Sequence, residues 1–347
     1  MTVLTRSSEP LSIVETLFTV SRFGTTTEPF GDVRGLIALS DGYIALVDAS
    51  LPGLIVIDPN NPADAVLLGR PGDGPGEFRS PRLIQAIGTD SLVIFDATSR
   101  KILVFSRTAG FLSSVELPKG GMVADPLGYV DGKHVARFDY HRPPAGEGGV
   151  RTVESRIFIG AGSDAADTLA EFPGGILSPQ GYMFFAWRAV AAIQGEYLWF
   201  GQGNLSQLSR LKITTSATPQ IFTWAQVARP VTDNDRKAMT ALASSLNAPP
   251  NMFTQDRFAD SVPLFSRIIP MTEDQLALVG YEPPEGWSDS LFVLDLSAKV
   301  VIPMALPDGF RPAWISDSLM IGVSLTGPDG PALVGFRISI PHQVRTQ

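Results

Sequence analysis

The sequence predicts an all-β fold, a six-bladed β-propeller built from four-stranded antiparallel blades, and three observations support this prediction. Segment 21–57 overlays segment 69–105 without a gap, so the chain repeats at a spacing of 48 residues. Each copy holds short β-rich runs separated by turn residues, and strands so closely spaced must be antiparallel. A chain of 347 residues has room for six such units, so residues 1–347 are expected to form a single domain.

The two copies match in both the kind and the position of their residues. The aligned pairs are Arg22 with Arg70, Gly24 with Gly72, Phe30 with Phe78, and Asp48 with Asp96. The predicted strands are Ile44–Val47 and Leu54–Ile57 in the first copy, and Leu92–Phe95 and Ile102–Phe105 in the second. Position-matched residues of this kind indicate neighbouring sheets of one type.

The later units are less regular. We place the third around Leu127–Phe138 and 150–172, the fourth around Ala189–Trp224, and the fifth from Phe265 to Ile302. The last unit, AWISDSLMIGVSL with PALVGFRISI, supplies only three strands. We therefore expect Ser12–Phe23 to be the outermost strand of the last blade, which closes the ring and leaves no sheet open.

One segment departs from the β pattern. Residues 231–246 place Thr232 as an N-cap with Asp235 three positions later, and Met239 and Leu242 follow at helical spacing. The prolines of NAPPN end the pattern. We expect a helical insertion at about 231–250, between blades four and five and on one face of the disc, and a C-terminal tail at about 341–347.

Residues 69–84, GRPGDGPGEFRSPRLI, carry a further pattern. They resemble the bacterial six-bladed propellers related to the NHL repeat, whose units read G-x-G-x-G-P-G-E-F-x-x-P before a strand. The matching residues are Gly72, Gly74, Gly76, Glu77, Phe78 and Pro81, with Asp96 behind them. In the first copy Pro29 stands for the Glu and Val33 for the Pro. The resemblance implies the propeller fold, and it implies little about activity because this fold hosts unrelated functions.

Composition narrows the classes of partner and the location. The net charge is −8 and no stretch gathers Lys and Arg, so a nucleic acid partner is not expected. The chain has no cysteine, which excludes disulfides and thiolate ligands. The first 20 residues lack the pattern of a signal peptide, and no apolar run is long enough to span a bilayer. These features predict a protein in the cytoplasm or peripheral on the cytoplasmic face of a membrane, or in the periplasm if a leader has been replaced at the start.

Several polar groups could carry chemistry. The loop 72–76 is rich in glycine, but a strand follows it where a phosphate loop needs a helix, so a tight turn is expected. Asp48 and Asp96 end equivalent strands; they could form part of a carboxylate ring, but capping of the next turn is the favoured interpretation. His134 and His141 lie seven residues apart, His342 lies in the tail, and none forms a metal-binding pattern. The sequence therefore predicts no catalytic, cofactor or metal-ligand residue.

The sequence leaves two functions open. The first is a non-enzymatic scaffold for another protein, an extrinsic subunit bracing a larger assembly that could be membrane-embedded and energy-transducing, so that the protein would be membrane-peripheral through its partner. Its candidate contact residues are Trp187, Trp199, Trp224, Met239 and Leu242. The alternative is a calcium-dependent lactonase or arylesterase with Ca²⁺ at the central channel. Only Asn204 among the asparagines lies where it could serve as a channel ligand, so that ligand set is incomplete.

Overall fold

The computed structural model describes residues 1–23, 30, 32–51, 53–117, 123–141, 151–160, 166–178, 181–214, 218–245, 258–281, 290–327 and 330–341. Within these ranges almost all regular structure is β-strand, with one α-helix, α1 (Asp233–Ser245), and a 3-10 turn at Pro62–Asp64. Gly24, which the predicted repeat aligns with Gly72, lies outside the described residues.

Twenty-eight strands follow one another in the described ranges. The first twelve are β1 (Thr2–Arg6), β2 (Ser12–Val20), β3 (Val33–Ala38), β4 (Ile44–Asp48), β5 (Leu54–Ile57), β6 (Val66–Leu68), β7 (Arg70–Pro71), β8 (Glu77–Phe78), β9 (Pro81–Ile87), β10 (Ser91–Asp96), β11 (Lys101–Ser106) and β12 (Gly110–Glu116). The next nine are β13 (Val123–Val130), β14 (Lys133–His141), β15 (Arg151–Gly160), β16 (Ala166–Ser178), β17 (Gly181–Tyr182), β18 (Ala189–Gln194), β19 (Tyr197–Gln202), β20 (Gln207–Lys212) and β21 (Gln220–Trp224). The last seven are β22 (Phe265–Thr272), β23 (Gln275–Gly280), β24 (Ser290–Asp295), β25 (Val300–Ala305), β26 (Phe310–Ile315), β27 (Leu319–Ser324) and β28 (Ala332–Ser339).

Consecutive strands form antiparallel meanders, which we call units and name by their residue ranges. The units are β3–β6 (33–68), β9–β12 (81–116), β13–β17 (123–182), β18–β21 (189–224), β22–β25 (265–305) and β26–β28 (310–339). Unit 123–182 departs from the predicted four strands, because the long strand β16 also pairs through its end with the short strand β17.

The first strands of the units contact one another in a cycle. β3 contacts β9, β9 contacts β13, β13 contacts β18, β18 contacts β22, β22 contacts β26, and β26 returns to β3. The first strands therefore surround a common axis while later strands radiate outward, which is a propeller-like arrangement.

The core lies between neighbouring units. Val47 and Leu54 of unit 33–68 pack with Ile94 and Phe105 of unit 81–116, and all four are at most 1% exposed. Second strands such as β4 and β23 are buried along their entire length, since units cover both of their faces. This double burial explains why these strands are continuous apolar runs rather than alternating patterns.

The N-terminal segment joins three units. β2 pairs antiparallel with β28, from Ser12 opposite Ser339 to Val20 opposite Leu333, which confirms its predicted place as the outermost strand of the last sheet. The sequence did not predict β1. Its first half pairs parallel with β21 and its second half pairs parallel with β25, so β1 joins the outer edges of units 189–224 and 265–305 into a nine-stranded sheet.

The inserted helix is confirmed, and α1 begins at Asp233 as the capping pattern predicted. The Oγ1 of Thr232 accepts a hydrogen bond from the backbone N of Asp235 at 3.3 Å, and the Asp235 carboxylate accepts one from the backbone N of Thr232 at 2.8 Å. Arg229 donates two hydrogen bonds to the same carboxylate, at 2.7 and 3.0 Å. These bonds from Arg229 hold the pKa of Asp235 well below its usual range against the opposing effect of burial.

Candidate functional site

One face of the molecule carries the long connections. Because strands alternate in direction, the connection from one unit to the next emerges where the first strands begin. On this side lie residues 69–80 with the ribbon β7–β8, and residues 225–245 with α1 and 258–264. On the opposite side turns are short, such as Asp131–Gly132 between β13 and β14. We call the side where the first strands begin the loop face.

Five arginines lie where the first strands of five units begin. These channel-mouth arginines are Arg34, Arg82, Arg188, Arg267 and Arg311. Since the first strands surround the axis, the arginines are arranged around the axis at the loop face. Carboxylates lie at the same face, since Arg34 pairs with Asp32 and Glu77 pairs with Arg70.

Two of these arginines reach across to the neighbouring unit. The guanidinium of Arg34 donates to the Oγ of Ser80 at 3.2 Å and pairs with Asp32 at 2.8 Å. The guanidinium of Arg267 donates to the backbone O of Pro312 on β26. Burial lowers the pKa of Arg267 to about 10, so it stays protonated at neutral pH. These contacts stabilise the junctions between units around the mouth.

The aspartates of the repeat cap turns at the loop face. Asp48 accepts hydrogen bonds from Asp32 N at 3.1 Å, Ser50 N at 2.8 Å and Ser50 Oγ at 2.6 Å. Asp96 accepts from Arg79 N, Ser80 N and Thr98 N, and from Ser99 Oγ at 2.6 Å. Both aspartates are fully buried, which confirms the favoured interpretation as turn caps.

The glycine-rich motif builds a turn that holds a carboxylate. Glu77 accepts from Gly74 N at 2.8 Å and pairs with Arg70 at 2.7 Å, and both contacts lower its pKa. Gly76 has a φ of +73°, a conformation that favours glycine. β8 and β9 follow instead of a helix, so the geometry of a phosphate loop is absent from residues 70–87.

The other motif residues have structural surroundings. Phe78 is buried and packs edge-on against Phe105, and Phe30 is buried and stacks on Phe23 at 5.6 Å. Pro81 begins β9 opposite Asp96, whereas Arg22 is exposed.

An apolar cluster anchors α1 to the loop face. Met239 of the helix packs with Phe185, Phe258 and Ala259, all at most 8% exposed. Beside this cluster lies a cavity of about 420 Å³, which we call the helix cavity. Its wall includes Met183, Phe184, Phe185, Met239, Arg188, Ser266 and Tyr281. A volume of this size is in the range of small-molecule sites.

Most of the predicted contact residues are interior. Trp199 is fully buried and its Nε1 donates to Gln194 Oε1 at 2.8 Å. Trp224 is 7% exposed and Met239 is 8% exposed. These three side chains fill the core and offer no surface to a partner, because an aromatic run in a propeller sheet faces the neighbouring sheet as readily as solvent. Trp187 and Leu242 are half-buried, and their role in contact with a partner stays a prediction.

The histidines and Asn204 are not brought together. His134 is 1% exposed near one end of β14, with no hydrogen-bond partner for Nδ1, and burial lowers its pKa. His141 is at the other end of β14, and His342 lies outside the described residues. Asn204 has a buried Oδ1 without a hydrogen-bond partner. In the part of the chain that the structure describes, no three His, Cys, Asp or Glu side chains are grouped as a metal site would require.

Comparisons with known proteins show the fold and no more. No family model matches the chain, and no curated protein matches its sequence. A Bacteroides fragilis protein named as exported aligns with a TM-score of 0.54 and 12% identity, over 98% of this chain and 100% of that one. A DUF4221 family member from Bacteroides vulgatus aligns with a TM-score of 0.55 and 8% identity, over 95% and 98%. Virginiamycin B lyase from Staphylococcus aureus aligns with a TM-score of 0.49 and 10% identity, over 95% of this chain and 100% of that one.

The chain therefore has the fold of bacterial β-propeller-like proteins. Membership of the NHL-related family, which the motif at 69–84 resembles, is not confirmed, because no family model matches.

The expected cytoplasmic location is wrong on this comparison, since a structural neighbour matched over its full length is named as exported. The expectation came from the composition of the first 20 residues. These residues form β1 and β2, so their composition reflects pairing and packing in the sheets. Within the described ranges, no helix has the length and apolar character needed to cross a bilayer.

Proposed function

We propose that this chain is a non-enzymatic protein-binding scaffold: a single six-bladed propeller domain that acts as an extrinsic subunit of a larger assembly. Support for six blades comes from the closed cycle of contacts among first strands, together with β2 as the fourth strand of the last unit. The binding role is supported by the rim of the molecule.

Exposed apolar side chains on outer edge strands carry this proposal. β2, β6 and β12 are the outermost strands of three consecutive units. Along them Val14, Leu17, Val66, Leu67 and Leu112 are between 43% and 58% exposed. An open edge presents unpaired backbone N–H and C=O groups, and proteins that remain alone usually protect it with charges. β6 has no charged residue.

β1 supplies an example of the binding mode within the chain. It adds to the outer edges of β21 and β25 as a parallel strand, and it buries Leu4 to 2% exposure. An extended segment of a partner could add to β6 or β12 in the same way, with main-chain hydrogen bonds and apolar contacts. The rim therefore favours a partner that contributes an extended apolar strand.

The loop face argues against the calcium-dependent hydrolase. Arginines lie at the start of five first strands, at the end of the channel where that function needs carboxylate and amide oxygens. A ring of guanidinium groups opposes the approach of a divalent cation. We therefore retain the scaffold and not the hydrolase.

Purification at native expression tests the proposal. We expect the wild-type chain to co-purify with a partner in a fixed ratio, and the double variant L17K/L112K to lose that partner while keeping its thermal unfolding temperature. V227K is the matched control, because Val227 is 89% exposed but lies on the loop-face connection before α1. Elution of the wild type alone at its monomer mass, or equal loss of the partner in V227K, would contradict the proposal.

A further inference from the structure

We infer that the space between the outer strands β21 and β25 binds an extended segment of a partner protein, and that β1 is the resident strand which this segment displaces. We call this space the β1 groove. Binding here does not depend on the scaffold proposal, because β2, β6 and β12 are edges of other units.

Two sheet edges form the β1 groove, and β1 pairs with both through its main chain. β1 lies parallel to β21 and to β25, which belong to consecutive units. The backbone N of Thr5 donates to Lys299 O at 3.0 Å, and the backbone N of Ser7 donates to Val301 O at 2.8 Å. Main-chain hydrogen bonds do not depend on side chains, so an extended segment of another sequence can form them equally well.

One side chain anchors β1 in its groove. Leu4 is 2% exposed and packs with Trp224 and Val301. The other side chains of β1 are exposed or half-buried, and Val3 is 60% exposed. A short strand with a single buried anchor belongs to the part of a structure that opens most readily.

β1 leaves part of the groove unfilled. Arg6 follows Leu4 by two residues and therefore lies on the same side of the strand, yet it is exposed. Beside it lies a cavity of about 130 Å³ whose apolar wall comprises Trp224, Phe292, Val301 and Pro303. Apolar cavities of about 150 Å³ accommodate a benzene ring. A guanidinium cannot fill such a space without the cost of burying its charge.

These contacts define the segment that the groove fits best. It carries an aliphatic residue at the position of Leu4 and an aromatic residue two positions later, at that of Arg6. β1 meets the first requirement and not the second. Residues 7–11 tether β1 to β2, so its effective concentration at the groove is on the order of millimolar. β1 therefore excludes weakly binding segments and yields to one that fills both positions.

Fluorescence anisotropy with the full chain and two labelled peptides tests the inference. The first peptide, TVLTRS, copies residues 2–7, and the second, TVLTFS, has Phe in the place of Arg6. We expect L4A to bind both peptides more tightly than the wild type by about tenfold or more, because its own β1 has lost the anchor. V3A is the matched control and should bind as the wild type does within about twofold, since Val3 is exposed. L4A should bind TVLTFS about tenfold more tightly than TVLTRS.

A reversible disulfide tests whether the peptides and β1 share one site. Val3 lies directly opposite Thr223, and the chain has no cysteine of its own. In L4A/V3C/T223C a disulfide would fix β1 in the groove. Oxidation should abolish peptide binding and reduction should restore it, whereas L4A itself should bind equally in both conditions.

A third variant fills the cavity from within the chain. L4A/R6F should bind TVLTFS about tenfold more weakly than L4A does, because the resident strand now supplies the aromatic ring. L4A/T5F is its control, since Thr5 is exposed on the opposite side of β1. Each variant is accepted only with a single cooperative unfolding transition. The inference is overturned if neither peptide binds L4A saturably, if the two peptides bind equally, if oxidation leaves binding unchanged, or if L4A/R6F and L4A/T5F behave alike.

Discussion

The side chain of Gln85 on β9 holds the backbone of Tyr129 on β13 in both directions. Its Oε1 accepts from Tyr129 N at 2.7 Å and its Nε2 donates to Tyr129 O at 3.1 Å. Gln194 on β18 forms a similar bond, from Nε2 to the backbone O of Gln275 in the following unit, at 2.8 Å. Neighbouring sheets do not pair through their backbones here. The side-chain amides of these two glutamines on first strands instead bond to the backbone of the next unit and so join consecutive units.

Loss of this amide should weaken the junction between units. We expect Q85A to lower the free energy of unfolding by about 2 kcal/mol, because the N–H and C=O of Tyr129 would lose their partners in a part-buried setting. Q207A, at an exposed glutamine on β20, should change it by less than about 0.5 kcal/mol. Urea unfolding of both variants measures the difference, and equal effects would show that Gln85 is not a junction residue.

β1 should contribute strongly to stability although it has only five residues. Leu4 packs into a core cluster with Trp224 and Val301. L4A should therefore lower the free energy of unfolding by about 3 kcal/mol. V3A on the same strand should cost less than about 0.5 kcal/mol, because Val3 is 60% exposed. Denaturant unfolding followed by tryptophan fluorescence compares them. A small cost for L4A would mean that β1 does not hold units 189–224 and 265–305 together.

The buried cap Asp96 should matter far more than an exposed aspartate of the same segment. D96A leaves three backbone N–H groups and one hydroxyl without their acceptor and should cost about 3 kcal/mol. D73A breaks a surface pair with Arg79 and should cost less than about 1 kcal/mol. Thermal unfolding separates the two.

The stabilisation that Asp96 provides depends on pH. Burial opposes the charge of Asp96, but the four hydrogen bonds outweigh it and lower its pKa below the reference value of 3.8. The stabilisation it provides is therefore complete above the pKa of the unfolded chain and is lost as pH falls through the lower pKa of the folded chain. The stability gap between wild type and D96A should narrow only in strong acid. A gap that already narrows at pH 6 would contradict this assignment.

His134 should make the fold sensitive to mild acid. Burial lowers its pKa from 6.5, so the unfolded chain takes up a proton that the folded chain resists. Below pH 6.5 this group should lower the free energy of unfolding by up to about 1.4 kcal/mol for each pH unit. H134L should lack this component, and the difference between the two proteins from pH 8 to 5 measures it. Parallel stability curves would show that His134 has no such effect.

The sequence predicted the fold through features that repeat or that act locally. Short apolar runs between turn residues gave β4, β5, β10 and β11 nearly to the residue. The missing strand of the last unit identified β2, because a three-stranded sheet next to a spare strand leaves few alternatives. Thr232 and Asp235 located the start of α1, since capping depends only on residues three apart.

The features that escaped prediction depend on distant parts of the chain. β1 has five residues and no periodic pattern, and its partners β21 and β25 lie more than two hundred residues away. The channel-mouth arginines occur about once per unit, at slightly different offsets, so their common position emerges only when the first strands are arranged around the axis. Trp199 and Trp224 are buried because their side of the sheet faces a neighbouring unit. The amino-acid composition of a strand does not show which of its sides does so.

The pairing of β2 with β28 also bears on how the chain is made. β2, which completes the last sheet, leaves the ribosome before the other strands of that sheet, and its mate β28 is complete only when Ser339 has been added. Until then an apolar strand stays single, and the ring has two open ends of the kind that aggregate in nascent chains. Every copy interrupted before that point is an unclosed ring, with the edge of β27 left exposed to pair with another chain.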